Sequence, residues 1–144
     1  MRRALPDDLD RVVEIENLSF AVDRFSRRQY AYLISQSRGI FFVAESEGVV
    51  VGYVSLLTHL HRRNLRIYAI AVHPEFRERG IARRLLERGK QYAAEQGLTT
   101  LSLEVRMDNT SARRFYEKNG FVVTSLKPDY FEGPADGCRM EVRV

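Results

Sequence analysis

The chain has 144 residues, a length that suits one domain, and we expect a single domain over residues 1–144. No apolar run approaches the roughly 20 residues that span a bilayer, and the N-terminus lacks the apolar stretch of a signal peptide. We therefore expect a cytoplasmic protein with no membrane partner. The net charge of +4 comes from interspersed charges with no basic tail, which favours a polyanionic ligand over nucleic acid.

The single cysteine, Cys138, excludes an internal disulfide, and we expect it to be a packed residue rather than a nucleophile. The three histidines are too scattered along the chain for a metal site, so none is expected.

Seven strands are predicted from runs of β-branched and aromatic residues or from strict alternation. They cover residues 2–5, 40–44, 49–57, 66–72, 100–105, 121–126 and 138–144. A polar loop is expected at 59–64, and an irregular segment with Pro and Gly at 127–137.

Four helices are predicted between these strands, from helical spacing of apolar residues and from start signals. They begin near Pro6, Ser26, Gly80 and Asn109. The order of elements predicts an α/β fold with a mixed sheet and helices on both faces. The strand, helix and strand between residues 66 and 105 should form a parallel crossover.

The start of the third helix has the features of a phosphate site. Gly80 and Ala82 have almost no side chain at the point where unpaired helical N–H groups begin, so an anion can approach the backbone. Three arginines at positions 77, 79 and 83 add positive charge. Taken alone, the segment from Arg77 to Ala82 is more typical of a tight turn followed by a solvated helix face, but its place after Ile70-Ala71-Val72 and Pro74 favours the phosphate site.

A second group of polar residues lies on the strand 100–105 and the helix after it. Glu104 interrupts an otherwise apolar strand, and Asn109 and Tyr116 share one side of the helix. Each also has an ordinary structural explanation: Asn109 as an N-cap, Tyr116 as a core tyrosine, and Glu104 as a partner of Arg106 or a solvent-facing residue.

Taken together, these segments resemble the GNAT superfamily of N-acetyltransferases. The resemblance rests on Arg77-Glu78-Arg79-Gly80-Ile81-Ala82 after Ile70-Ala71-Val72 and His73-Pro74, and on Leu103–Arg106 with Asn109, Ala112, Phe115-Tyr116 and Gly120-Phe121. It covers nearly the whole chain in the right order. Within the superfamily, Leu103–Arg106 and the run Asp129-Tyr130-Phe131 followed by Asp136-Gly137 and Met140 resemble the ribosomal-protein-alanine (RimI-like) N-acetyltransferases.

The resemblance implies a central splayed sheet, acetyl-CoA as co-substrate, and an amine acceptor, most of all a protein or peptide N-terminus. It implies Glu104 as the general base and Tyr116 as the proton donor to the leaving thiolate. The implied cofactor-binding residues are Ile70, Ala71, Val72, Arg77, Glu78, Arg79, Gly80, Ile81, Ala82, Arg83 and Asn109. Phe25, Tyr130 and Phe131 are the implied acceptor-binding residues.

Two alternatives stay open at this point. The acceptor can be a small amine, such as an amino acid, a polyamine or a drug, or the chain can be a non-catalytic acyl-CoA-binding module. The chain is expected to be a monomer or a homodimer. An oxyanion donor from the backbone at 70–72 is expected if that strand bulges and splays from its neighbour.

Overall fold

The computed structural model describes residues 1–20, 26–35, 39–58, 63–131 and 135–144, and the structural statements below refer to these residues. For residues 129–131 and 135, they concern the backbone alone. The described strands are β1 Arg2–Arg3, β2 Gly39–Ser46, β3 Val49–Thr58, β4 Asn64–Val72, β5 Thr100–Arg106, β6 Val122–Phe131 and β7 Ala135–Arg143. The helices are α1 Leu9–Ser19, α2 Arg27–Ser35, α3 Ile81–Glu95 and α4 Thr110–Lys118, with short 3-10 turns at Pro6–Asp8 and Pro74–Phe76.

The described strands form one mixed sheet in the order β1-β2-β3-β4-β5-β7-β6. The pair β4 and β5 is parallel and is joined by α3, which confirms the predicted crossover. The other neighbouring strands run antiparallel. The predicted α/β class with a mixed sheet is therefore confirmed.

Helices cover the two faces of the sheet with two separate apolar clusters. On one face, α3 and α4 bury Leu85, Leu86 and Tyr116 against apolar side chains of β2 to β5 and β7. On the other face, α1 and α2 cover part of β2, β3 and β4, where Ile15 and Tyr30 are fully buried. The described part of the chain contains no helix with the length and apolar character that crossing a membrane requires.

The sheet opens between its two central strands. Pairing of β4 with β5 covers Asn64–Arg66 against Thr100–Ser102, and both strands continue beyond that point without pairing to each other. In β4, Ile67 pairs with Leu56 and Ala69 with Ser55, so Tyr68 is an extra residue, which is a β-bulge. The bulge and the splay anticipated for this strand are both present.

Some predicted boundaries are wrong. Strands β6 and β7 extend into the irregular segment expected at 127–137, where Lys127 pairs with Gly137 and Phe131 with Ala135, with a register shift between these two pairs. Pro128 is tolerated there because β6 is the edge strand, where a missing N–H interrupts no sheet ladder. The first strand is shorter than predicted, and β4 begins at Asn64, inside the expected loop.

Candidate active site

The gap between β4 and β5 presents backbone groups of β4. The N–H of His73 bonds to the carbonyl of Val51 on β3 at 2.8 Å, so alternation along the strand turns the polar groups of Ile70 and Val72 away from β3. Because β5 has already diverged at this level, those groups point into the gap. An extended ligand with its own amide groups can pair there as an additional strand would.

A groove of about 230 Å³ lies at the wide end of the gap. Its walls come from β4, the end of α1, the start of α3 and the helix α4. The lining residues are Ser19, Phe20, Ile70, Ala71, Val72, Arg77, Ala82, Phe115 and Tyr116. Tertiary packing brings five of these to β4 from the end of α1, the start of α3 and α4: Ser19, Phe20, Ala82, Phe115 and Tyr116.

Beside the groove, the start of α3 is shaped to receive an anion. Gly80 is the N-cap with a φ of 77°, and Glu78 two residues earlier has a φ of 63°. This left-handed backbone turns the first N–H groups of α3, from Ile81 onward, toward the solvent, where they have no helical partner. A β-carbon at Gly80 would meet no atom within 4 Å. The glycine is therefore favoured by the positive φ and not by a lack of space for a side chain.

The arginines of this segment do not act alike. Arg77 reaches back over the groove, where its Nε donates to the carbonyl of Val72 at 3.2 Å and its Nη2 to Ser19 Oγ at 3.3 Å. Arg79 stacks over the ring of Phe76, with its Cζ 5.0 Å from the ring centre. Arg83 is exposed on the first turn of α3. Arg79 and Arg83 therefore supply charge outside the helix start, whereas Arg77 ties the end of β4 to the end of α1.

Tyr116 forms part of the groove wall from α4. Only 8% of the residue is exposed, and its ring packs between those of Phe115 and Phe121 at centroid distances of 5.3 and 5.5 Å. Burial raises the pKa of Tyr116 above its ordinary value of about 10. The hydroxyl therefore keeps its proton at neutral pH and is available as a donor.

Asn109 is the N-cap of α4, which was the ordinary structural explanation for this residue. Its side chain accepts a hydrogen bond from the N–H of Ala112 at 3.1 Å. Since the carbonyl oxygen of the amide is used in this way, its NH₂ group is the part that remains for a ligand.

Glu104 projects from β5 onto the opposite side of the sheet from Tyr116. Its neighbours Leu103 and Val105 belong to the apolar cluster under α3 and α4, so alternation places Glu104 on the other face. There it meets Arg66 of β4, with Arg66 Nε 2.8 Å from Glu104 Oε2, and 7% of its side chain is exposed. The two groups are in ionic contact, although they are not aligned as a hydrogen bond.

The pairing of Glu104 with Arg106 that the sequence left open is wrong, as is a solvent-facing Glu104. Arg106 pairs instead with Asp108, at 3.1 Å from Nε to Oδ1. Glu104 instead meets Arg66 of the neighbouring strand β4, and the guanidinium of Arg106 turns toward Asp108, just beyond the end of β5.

We call the side of β4, β5 and β7 that carries Glu104 the polar face. Arg66, Ser102, Arg106, Arg139 and Glu141 also lie on it. Directly paired residues share a face, and Glu104 is paired with Arg139 and Ser102 with Glu141. Glu104 and Tyr116 thus lie on opposite sides of the sheet, and the gap between β4 and β5 connects the two sides.

The sequence missed Arg66 altogether. Its signal was a charged residue at the start of the apolar run 66–72, but the partner depends on strand register. Of the predicted acceptor-binding residues, Phe25 and the side chains of Tyr130 and Phe131 lie outside what the structure describes. Within the described ranges, no three His, Cys, Asp or Glu residues come close enough to hold a metal ion.

The sequence of the chain matches a known enzyme family. The model of the acetyltransferase (GNAT) family matches residues 9–121 of the chain. The chain belongs to the GNAT acetyltransferase family. It is an N-acetyltransferase whose acyl donor is acetyl-CoA, which agrees with the sequence interpretation.

Several relatives of this GNAT chain have informative descriptions. It is 34% identical over 141 residues to an uncharacterised N-acetyltransferase of Methanocaldococcus jannaschii, covering 97% of this chain and 88% of that protein. It is 28% identical over 125 residues to a putative ribosomal protein bS18-alanine N-acetyltransferase of Bacillus subtilis, covering 87% of this chain and 82% of that one.

Among solved structures, the crystal structure of the ribosomal-protein-S18-alanine N-acetyltransferase from Escherichia coli matches with a TM-score of 0.88. The sequence identity is 26%, and the match covers 99% of this chain and 91% of that one. These similarities confirm the resemblance to RimI-like GNAT enzymes that the sequence indicated.

Proposed function

We propose that this N-acetyltransferase transfers the acetyl group of acetyl-CoA to the α-amino group of a protein N-terminus. The observation that carries the proposal is the gap between β4 and β5, which has Glu104 on the polar face and Tyr116 on the opposite side. Similarity to enzymes described as acting on a ribosomal-protein alanine supports the choice of a protein N-terminus.

Acetyl-CoA fits the features of the α3 side. The unpartnered N–H groups at the start of α3, with Gly80 at the N-cap, suit the pyrophosphate, and Arg79 and Arg83 add charge. The backbone groups of Ile70 and Val72 suit the amide groups of the pantetheine arm. The side-chain NH₂ of Asn109 is a further donor to that arm.

Glu104 acts as the general base in this proposal. An α-amino group is largely protonated at neutral pH and attacks a thioester only after losing a proton. The ionic contact with Arg66 involves Oε2, which leaves Oε1 to accept a proton from the amine or from a bridging water.

Tyr116 completes the exchange from the other side of the gap. Attack by the amine forms a C–N bond and moves negative charge onto the carbonyl oxygen, which a backbone N–H of β4 beyond the bulge can stabilise. The C–S bond then breaks, and the protonated hydroxyl of Tyr116 supplies a proton to the leaving thiolate. Starting from the protonated amine, the nitrogen loses two protons in all, one before the attack and one as the tetrahedral intermediate collapses, while the sulfur gains one. One proton is therefore released to solvent. The amine itself is the nucleophile, so no covalent enzyme intermediate is required.

The test is release of CoA thiol with matched acceptors. One peptide series has a free α-amine and an internal lysine, and a second series is identical except for a blocked α-amine. A panel of amino acids and polyamines completes the acceptors. We expect turnover with the first series alone, and the product mass after digestion should place the acetyl group on the first residue.

Variants assign the two roles. Glu104→Gln and Tyr116→Phe should each lower kcat by about 10²- to 10⁴-fold, the usual contribution of a positioned acid or base. Matched controls are Glu45→Gln on β2 and Tyr92→Phe on α3, which lie outside the groove and should keep wild-type kcat. Turnover with small amines alone would replace the proposed acceptor class, and CoA binding without any turnover would favour a non-catalytic acyl-CoA-binding module.

A further inference from the structure

The ion pair between Arg66 and Glu104 stands where the sheet begins to open. Arg66 occupies the last paired position of β4, opposite Ser102, and Glu104 lies two residues beyond Ser102 on β5. The guanidinium therefore reaches forward across the first unpaired level of the gap. Arg66 contacts the proposed base, Glu104. The bulge at Tyr68 interrupts the regular alternation of β4 just beyond Arg66.

The guanidinium is itself held in place. Its Cζ lies 5.0 Å from the ring centre of Tyr68, a distance at which a cation is attracted to an aromatic face. One quarter of the Arg66 side chain is exposed. A planar group fixed by a ring below and an anion in front presents its charge in one orientation.

The other charged groups around Glu104 have partners of their own. Directly across on β7, Arg139 donates from Nε to Glu141 Oε1 at 2.7 Å. On β5, Arg106 pairs with Asp108. Lys127 on β6 lies in register with Gly137, which is opposite Arg106, and so belongs to the same face two strands away. Among the residues that the structure describes, Arg66 is the cation in direct contact with the Glu104 carboxylate.

We propose that Arg66 is a positioning residue that holds the Glu104 carboxylate in the orientation required for proton transfer. The inference rests on the proposed function, since it acts through Glu104. By occupying Oε2, the guanidinium directs Oε1 along the gap toward the acceptor amine. An unpaired carboxylate at this largely buried place would be free to rotate or to draw in another partner, and the proton would then have to travel a different route.

A double-mutant cycle tests this inference against a purely structural role. The variants are Arg66→Met, Glu104→Gln and the two combined, with Arg66→Lys as the conservative change. We expect Arg66→Met to lower kcat about tenfold to a hundredfold, the order of loss that follows when a reacting group is misplaced, with the KM for acetyl-CoA unchanged. In the Glu104→Gln background the same change should cost less than about twofold, because the group through which it acts is gone.

The conservative variant adds a second readout. A lysine at position 66 keeps the charge without the planar fork, so it should recover part of the kcat that methionine loses. Equal loss of kcat from Arg66→Met in both backgrounds would overturn the inference. Full activity of Glu104→Gln would overturn it as well, together with the role of Glu104 in the proposed function.

The melting temperatures of the same four proteins give a test that needs no acceptor. If the pair exists in solution, the double variant should melt well above the temperature expected from adding the two single losses. Additive losses would overturn the inference even if the enzyme is active. Non-additive melting with no acetyl transfer to any acceptor would instead leave the pair intact and place the failure in the proposed function.

Discussion

Glu16 and Glu104 are both carboxylates withdrawn from solvent, but their surroundings differ in kind. Glu16 on α1 is 1% exposed and accepts hydrogen bonds from the hydroxyls of Tyr30 and Tyr53. Those tyrosines come from α2 and β3 and are fully buried. Glu104 contacts a guanidinium that is one quarter exposed, at the edge of an open gap. Glu16 is therefore enclosed in the core, whereas Glu104 lies beside the gap between β4 and β5.

The contrast indicates what makes a buried acid useful for catalysis. Around Glu16, the rings of Tyr30, Phe41 and Tyr53 pack within 6 Å of one another, so no substrate can reach the carboxylate. Its hydrogen bonds join two helices to the sheet. Glu104 has the same functional group but lies where β4 and β5 separate, and the proposed function requires one of its oxygens to reach the ligand there. Access, rather than burial, separates the proposed catalytic carboxylate from the structural one.

The largest expected effect is on catalysis at Glu104. Glu104→Gln should lower kcat by at least about 100-fold while the melting temperature changes by only a few degrees. The steady-state rate and a thermal melt of the same preparation measure both quantities. A variant that loses stability but keeps its activity would reverse the assignment of the two carboxylates.

Glu16→Gln should have the opposite signature. Loss of the charge that two tyrosine hydroxyls donate to should lower the free energy of unfolding by about 2 kcal/mol. Urea unfolding would measure that loss. Well below the melting temperature, kcat should remain within about threefold of wild type, since Glu16 lies outside the groove. A hundredfold loss of kcat with unchanged stability would contradict this account.

High pH should probe the enclosed cluster. Burial raises the pKa of both Tyr30 and Tyr53, and the nearby charge of Glu16 raises both further. Because the pKa of each tyrosine is higher in the folded than in the unfolded protein, the protonated hydroxyls contribute stability that is fully present below the unfolded pKa of about 10. That contribution is lost as the pH rises above about 10. Each tyrosine should contribute a slope of about 1.4 kcal/mol per pH unit. Tyr53→Phe should make the decline shallower, whereas Tyr32→Phe, at an exposed site, should leave it unchanged.

The smallest effect concerns a second pair of carboxylate and guanidinium, remote from the gap. Asp8 accepts two hydrogen bonds from Arg2, at 2.8 and 2.9 Å, which lower its pKa despite partial burial. The resulting stability is present above the unfolded value of about 3.9 and is lost as pH falls. Between pH 5 and pH 2.5, the free energy of unfolding of Asp8→Asn should therefore fall by about 1 kcal/mol less than that of wild type. Its kcat at neutral pH should match wild type, because an ion pair alone does not make a site.

Local sequence signals predicted the secondary structure from β4 to the start of α3 well. The run from Ile70 to Ala82 combines a strand, a turn and a helix start in consecutive residues, so its geometry follows from short-range rules. The hairpin of β6 and β7 was missed because Pro128 and the glycines near it resemble a loop. Only the edge position in the sheet makes strand pairing possible there.

Long-range pairing could not be predicted in the same way. The contact of Arg66 with Glu104 depends on the register of two strands separated by a helix, and on where their pairing stops. Glu16 gave a partial signal, as a charged residue beside Val12 and Ile15 on the buried side of α1. Its two tyrosine partners lie on other elements and could not be identified from spacing.

A crystal structure with a bisubstrate analogue, in which CoA is joined through an acetyl bridge to the α-nitrogen of a short peptide, tests the central claim most directly. The account predicts the bridge in the gap between β4 and β5, with its sulfur beside Tyr116. The nitrogen should lie about 2.6–3.2 Å from Glu104, or one water away. A nitrogen on the α3 side of the sheet, with no route to Glu104, would contradict the account.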